Sequence, residues 1–494
     1  MSQKDHDTFA KLAEAIASPL PGVVGGFRPL LEQLFGGRYQ ARHKTDYQPR
    51  DAYALGNDPE GEGVPYAGLI HPDNPTSGPY GGTSLVWFPT KEDGTLIGFG
   101  VGTRGLSPDE GILTRAGHRR RIAALRKHLA RLGVEVWSKP DPSALSLEVP
   151  KSTRERFPGF DHVFKRYGRE MYCNALIPKN KDTAYRVVQA FFDLYAYERG
   201  WKVLKDGEKE FIEFHSALRS DLFPSVNAES VHALLKQRRF VVLQGPPGTG
   251  KTRLAQTVKR NFYKDRGMTV QFHPAVTYED FIVGLSPDPR GSSLKFDVRP
   301  GWLLQAAKEA KEGPYLLTID EVNRADLGKV LGEAVYLFEP DEIGSEYPRE
   351  IRLPHAVDGG PMFRYPENLY VLATMNTADR SIASMDLAIR RRFAFVNMLP
   401  ERDVVAKQGH HFAIEVFDRI ADVFVEHVAE DNFDLMPGHA YFLAKTETDL
   451  KKRFQYELIP LLDEYLRQGA LGAASSELYA VRDWILDSLT IGDA

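Results

Sequence analysis

A chain of 494 residues is too long for a single hydrophobic core and predicts roughly two to four domains. The formal net charge of −4 excludes a global electrostatic pull on nucleic acid, so any such contact needs a local patch. A single cysteine, Cys173, excludes an internal disulfide framework and a Cys-rich zinc site. With no leader-like start and no apolar run near the ~18 residues of a span, a cytoplasmic protein without a membrane segment is expected.

Residues 1–35 read as helical, with a break at Pro19–Gly26, and the stretch from about 50 to 82 has the Gly, Pro, Asn and Asp of loops. Three strand-like runs follow, Tyr66–Ile70, Ser84–Phe88 and Leu96–Val101, the last two joined by a hairpin turn at Lys91-Glu92-Asp93-Gly94. Ser107-Pro108-Asp109-Glu110 predicts a helix start, with serine as cap and proline in the first turn, continued by 112–132. That helix carries Arg115, Arg119, Arg120, Arg121, Arg126, Lys127 and Arg131 with no acid among them. Such a run suits phosphate contacts, Arg119, Arg120 and Arg121 foremost, although a solvated helix face is its commoner meaning. Tyr66, Tyr80, Trp87 and Phe99 offer faces for stacking on a flipped base, against the ordinary role of strand aromatics as core. We read 1–150 as an α+β target-recognition domain and 151–230 as a mainly helical connector or extension of it, with a helix over Thr183–Glu198.

Two lookalikes in this half fail on context. Gly100-Val101-Gly102-Thr103-Arg104-Gly105 spells a dinucleotide fingerprint, but it follows a hairpin strand and no acid stands about 20 positions on. Asp141, Glu148 and Lys151 approach a nuclease site, but the acid-to-lysine spacing is too long and Pro150 breaks the strand.

The second half is richer. Phe240-Val241-Val242-Leu243 reads as a buried strand and runs into Gly245-Pro246-Pro247-Gly248-Thr249-Gly250-Lys251-Thr252, a complete phosphate loop. Its glycines let backbone N–H groups crowd around phosphate oxygens; Lys251 supplies charge to the β- and γ-phosphates, and the Thr252 hydroxyl suits Mg²⁺. A breaker-poor run from Arg253 to Phe262 predicts the helix whose N-terminus favours the anion. Tyr315-Leu316-Leu317-Thr318-Ile319-Asp320-Glu321 predicts a strand delivering two carboxylates to the sheet edge, Asp320 for the metal and Glu321 to polarise the attacking water. A third strand, Leu369–Met375, ends at Asn376, an amide placed for the γ-phosphate or lytic water. Asn376-Thr377-Ala378-Asp379 is not a guanine reader, because a strand beside the metal carboxylates points at the γ-phosphate. The arginine run Arg390-Arg391-Arg392 ends a predicted helix and suits a finger delivered across a subunit interface.

From about 235 to 470 the chain resembles McrB-type AAA+ motors of modification-dependent restriction systems. Gln271-Phe272-His273 with Tyr278-Glu279-Asp280-Phe281-Ile282 and Gly284 resembles that family's block between the Walker motifs. Ile319–Ala325 is similar to its extended second Walker motif, and Met375-Asn376-Thr377-Ala378-Asp379-Arg380-Ser381 to its M-N-x-x-D-R-S signature. Gly438-His439-Ala440-Tyr441-Phe442 resembles its lid block, with Ala440 in place of serine, and Ile459–Tyr465 its closing helix. The resemblance implies an α/β AAA+ phosphate-loop NTPase core (231–400) with a helical lid (401–494), preceded by a separate α+β domain. It further implies a homo-oligomeric, hexameric ring using Mg²⁺ and GTP, with ATP as alternative, Arg391 as finger beside Arg392, a separate McrC-type nuclease and modified DNA as target. The competing reading keeps the AAA+ ATPase but makes it a MoxR- or dynein-like remodeller of proteins, without DNA.

Overall fold

The computed structural model describes residues 3–17, 27–36, 47–51, 64–75, 80–90, 93–201, 211, 218–219, 221–287, 296–357, 360–378 and 386–490. It divides into two compact units, Met1–Leu222 with Val425–His427, and Phe223–Phe424 with Val428–Ala494. Among the described residues no helix is long and apolar enough to cross a membrane. The expected break at Pro19–Gly26, the first half of the Lys91–Gly94 turn and Asp379-Arg380-Ser381 lie outside the described residues.

The first unit is built on a six-stranded antiparallel sheet of β1 (Gln48–Asp51), β2 (Ala67–Ile70), β3 (Thr83–Pro89), β4 (Thr95–Val101), β5 (Val136–Ser138) and β6 (Met171–Leu176), in the order β1-β2-β3-β4-β6-β5. Both faces are covered. Leu85, Trp87, Ile97 and Phe99 face a core shared with the helices Gln3–Ala17 and Lys181–Glu198, whereas Phe88 and Leu96 face a second cluster with Phe157, Phe160 and Phe164. This double burial explains why β4 is buried at every position instead of alternating. A domain boundary at 150 would sever β6 from the two strands it pairs with, β4 and β5. Its run Met171-Tyr172-Cys173-Asn174-Ala175 is wholly buried, so periodicity could not tell it from helix.

The helix expected from Ser107 differs in detail. Asp109 makes no capping bond; its carboxylate accepts from Thr83 N–H at 2.7 Å and pairs with Arg199 at 2.8 Å, both partners being more than nine-tenths buried. The helix therefore starts at Glu110, stops at Leu113 and resumes as Ala116–Arg131.

The second unit carries a five-stranded parallel sheet. Its strands β7 (Phe240–Gly245), β8 (Gly267–Gln271), β11 (Tyr315–Asp320), β14 (Leu369–Asn376) and β15 (Ala394–Asn397) lie in the order β15-β7-β14-β11-β8, and two antiparallel hairpins complete the unit, β9 (Val283–Pro287) with β10 (Phe296–Pro300) and β12 (Glu350–Val357) with β13 (Gly360–Arg364). Alternate residues of β7 serve two cores, Phe240 and Val242 in one, Val241 and Leu243 in the other. The register pairs Asn376 with Gly245 and Ile319 with Ala373, so β7 and β14 end level, β11 ends two residues earlier, and loop, acids and amide meet at one edge. The C-terminal segment is helical, with His411–His427, Glu447–Arg453, Ile459–Arg467 and Ser475–Thr490 as its main helices.

Candidate nucleotide site

The phosphate loop links β7 to the helix Lys251–Tyr263, and Gly250 at the helix cap has φ 77°, where a side chain would be strained. Lys251 is buried, and its ammonium donates to the loop's own carbonyls, Gly245 O at 2.9 Å and Pro246 O at 2.7 Å. Burial pulls its pKa down to about 8, against the opposing charges of Glu321 and Asp320. A phosphate in the cradle offers this ammonium a better acceptor than neutral carbonyls.

Asp320 ends β11 beside the loop. Its Oδ1 accepts from Thr252 Oγ1 at 2.9 Å and from Thr374 Oγ1 at 2.5 Å. A hydroxyl and a carboxylate touching at the phosphate loop match the hard-oxygen donors Mg²⁺ takes alongside phosphate and water, so the residues fit that ion. Glu321 follows in the left-handed region at φ 55°, uncommon for a residue with a Cβ. Its N–H donates to Thr374 Oγ1 at 3.1 Å, while Asn376 Nδ2 bonds its Oε1 and Arg324 Nε approaches its Oε2 at 3.4 Å. Asn323 Nδ2 in turn donates to Asn376 O at 3.1 Å. Thr374 thus buttresses both acids at once. Sequence reasoning passed over it, although the pairing of Ile319 with Ala373 puts the next residue beside Asp320.

The lid block touches the loop directly. Gly438 N donates to Pro247 O at 3.2 Å and Ala440 N to Gly248 O at 2.9 Å. A Cβ on Gly438 would stand 2.2 Å from Gly248 C and 2.3 Å from Pro247 O, so only glycine permits this approach. His439, between them, is 9% exposed, and burial, with Arg253 nearby, lowers its pKa to about 4.

The two candidate finger arginines differ sharply. The Arg391 side chain is 69% exposed and only grazes Glu339, at 3.8 Å. That of Arg392 is 9% exposed, pairs with Glu339 at 3.4 Å and donates to Ala388 O. Arg392 is therefore a strut of its own turn, and of these two it is Arg391 that projects an exposed guanidinium.

In the first unit, the expected phosphate contacts do not fit at Arg120 and Arg121, which are 4% and 0% exposed. Arg121 Nε is 2.6 Å from Glu198 Oε1, in a cluster with Arg115 and His118. Burial works to raise the Glu198 pKa, but His118 and Arg121 hold this carboxyl well below the usual range. Arg119 is half-buried, while Arg126, Lys127 and Arg131 remain exposed. Trp87 and Phe99 are core residues, packed edge-on against Phe27 at 5.4 Å and tilted against Phe191 at 5.2 Å, so neither is open to a base. Asp141, Glu148 and Lys151 form no site; Glu148 pairs with Arg169 and Asp141 accepts from Ser143.

Comparison with known proteins agrees with this geometry. The AAA domain (dynein-related subfamily) matches residues 240–393, and the McrB alpha-helical lid domain matches residues 419–468. The chain is 31% identical over 357 residues to the Type IV methyl-directed restriction enzyme EcoKMcrB subunit of Escherichia coli K12, covering 65% of this chain and 75% of that protein. It is 27% identical over 189 residues to the Type II restriction enzyme BsuMI component YdiS of Bacillus subtilis 168, 31% of this chain and 55% of that one. The match to the E. coli subunit spans most of that protein, and the McrB lid is found beside the AAA domain; the chain belongs to the McrB family of AAA+ nucleoside triphosphatases.

Proposed function

We propose that this chain is the motor of a modification-dependent restriction system, a hexameric ring in the cytoplasm that hydrolyses GTP in preference to ATP, acts on DNA and works with a separate McrC-type nuclease. The observation that carries the reading is the meeting of Lys251, Thr252, Asp320, Glu321 and Asn376 at one sheet edge, in a chain similar over most of its length to a protein named a methyl-directed restriction subunit.

The loop from Gly245 through Pro246, Pro247, Gly248, Thr249 and Gly250 wraps the phosphates with backbone N–H groups, and Lys251 exchanges its carbonyl partners for phosphate oxygens. Thr252 and Asp320 would hold Mg²⁺, which when bound offsets the charge of the phosphates. Glu321 takes the proton of the attacking water after leaving Arg324, and Asn376 holds that water or the γ-phosphate in line. Arg391, exposed on its own unit, completes the site of a neighbouring copy. On that helix of the first unit, Arg126 and Arg131 are exposed cations suited to a phosphate backbone, joined by Lys127 once it leaves Asp221, its partner at 2.7 Å.

The test is nucleotide hydrolysis by the full chain with GTP and with ATP, with methylated or unmethylated duplex, alone and with the nuclease partner. Turnover stimulated by DNA, and cleavage only when the partner is present, are expected. Turnover indifferent to DNA in every combination would discard this reading for the protein-remodelling one.

A further inference from the structure

We infer that His439 is a nucleotide-positioning residue: from the lid it donates its Nε2–H to an oxygen of the nucleotide held in the phosphate loop. This rests on the reading of that loop as a nucleotide site.

The tautomer follows from the geometry. The backbone N–H of Glu401 points at His439 Nδ1 at 3.3 Å, and a backbone N–H can only donate, so Nδ1 is the lone-pair nitrogen. In the neutral ring the single proton then sits on Nε2. The ring is neutral near pH 7, because burial and the nearby Arg253 depress its pKa to about 4. Nε2 lies 3.6 Å from the position a Cβ would take on Gly250, and it has no hydrogen-bond partner within the protein among the described residues. A residue 9% exposed thus places a ring nitrogen that bonds nothing else beside the turn that leads into Lys251.

The approach is built, not accidental. Gly438 and Ala440, on either side, fasten the lid to the Pro247 and Gly248 carbonyls, and Arg453 bonds the carbonyls of Ala440 and Leu443 from behind. The Tyr441 ring stands 3.3 Å from the Cβ position of Gly248. With the backbone held at both flanks, the imidazole has little freedom to turn elsewhere. The acceptor is a phosphate or a sugar oxygen; both present the same lone pairs.

The experiment measures binding of a fluorescent nucleotide and steady-state hydrolysis for wild type, His439→Leu and His439→Gln, with Lys251→Ala as the non-binding control. Leucine fills the space without a donor, whereas glutamine carries an N–H to nearly the same point. Loss of one hydrogen bond predicts about tenfold or more weaker binding for His439→Leu if the acceptor is a charged phosphate oxygen and about threefold or more if it is a sugar oxygen, with substantial recovery in His439→Gln. Competition by inorganic triphosphate separates the two acceptors. An equal loss with triphosphate assigns a phosphate oxygen, and a loss confined to the nucleotide assigns the sugar. Unchanged affinity in His439→Leu would overturn the assignment. So would a folded His439→Gln as defective as leucine, since that outcome means packing alone. A wild type that binds no nucleotide would remove the underlying reading instead.

Discussion

The two units treat their conspicuous side chains in opposite ways. In the second, the residues singled out by chemistry converge: Lys251 on the loop, Thr252 on Asp320, Asn376 on Glu321. In the first, the residues singled out by type alone, Arg120, Arg121, Trp87 and Phe99, vanish into the interior. A motif whose spacing is set by a ligand fixes where side chains point. An arginine run or a strand aromatic carries no such constraint, and Arg121 with Glu198 shows that a basic helix can spend its charges inside the fold.

The largest effects should come from the convergent set. Lys251→Ala should abolish nucleotide binding, whereas Glu321→Gln should bind normally and lose about 10³-fold in turnover or more, because Glu321 touches neither the loop nor its ammonium. Equal loss of binding in both, read by fluorescent-nucleotide titration, would break the division of roles. Arg391→Ala should keep affinity and lose about 10³-fold in turnover. Arg392→Ala should instead lower stability, through its lost bonds to Glu339 and Ala388.

In the first unit the expectation is stability, not recognition. Trp87→Ala should cost about 3–5 kcal/mol in denaturant unfolding. Arg121→Ala should cost a similar ~3–5 kcal/mol by leaving the Glu198 carboxylate buried with fewer partners. Replacing Arg126, Lys127 and Arg131 with alanine should each change stability by no more than about 0.5 kcal/mol. The triple change should nonetheless flatten the salt dependence of DNA binding by up to about three units, at roughly 0.9 per lost phosphate contact. A normal slope in that variant would sharpen the contrast by taking DNA off this helix altogether.

A smaller effect concerns pH. Without nucleotide the Lys251 ammonium titrates near pH 8, and phosphate binding must raise that value. Binding therefore takes up a proton above pH 8, and affinity should be level below that point and fall by up to tenfold per unit above it. Stability of the nucleotide-free chain moves the other way. Between about pH 8 and the unfolded lysine value near 10.4 the unfolded state binds more protons, so this group favours folding as pH rises. Flat affinity from pH 7 to 9 would contradict the placement of Lys251.

The same contrast explains what could be read from the chain. The strand, loop and helix around Lys251 and the acids ending β11 were legible, because a buried parallel strand is continuously apolar and its last residues carry the chemistry. Strand β6 was not, since burial on both faces erases alternation in Met171–Leu176. Thr374, and the closeness of the lid residue His439 to the loop, were hidden for another reason. Each depends on a neighbour set by tertiary register, Ala373 against Ile319 and Gly438 against Pro247, which local pattern does not encode.

The central claim is that Arg391 completes a site whose other residues belong to a different copy of the chain. It is tested most directly by mixing Arg391→Ala with Glu321→Gln subunits and measuring nucleotide turnover against mixing ratio. The two lesions fall on opposite sides of an interface, so some mixed interfaces carry neither, and activity should rise well above both parents. A mixture as inactive as either parent at every ratio would contradict the account.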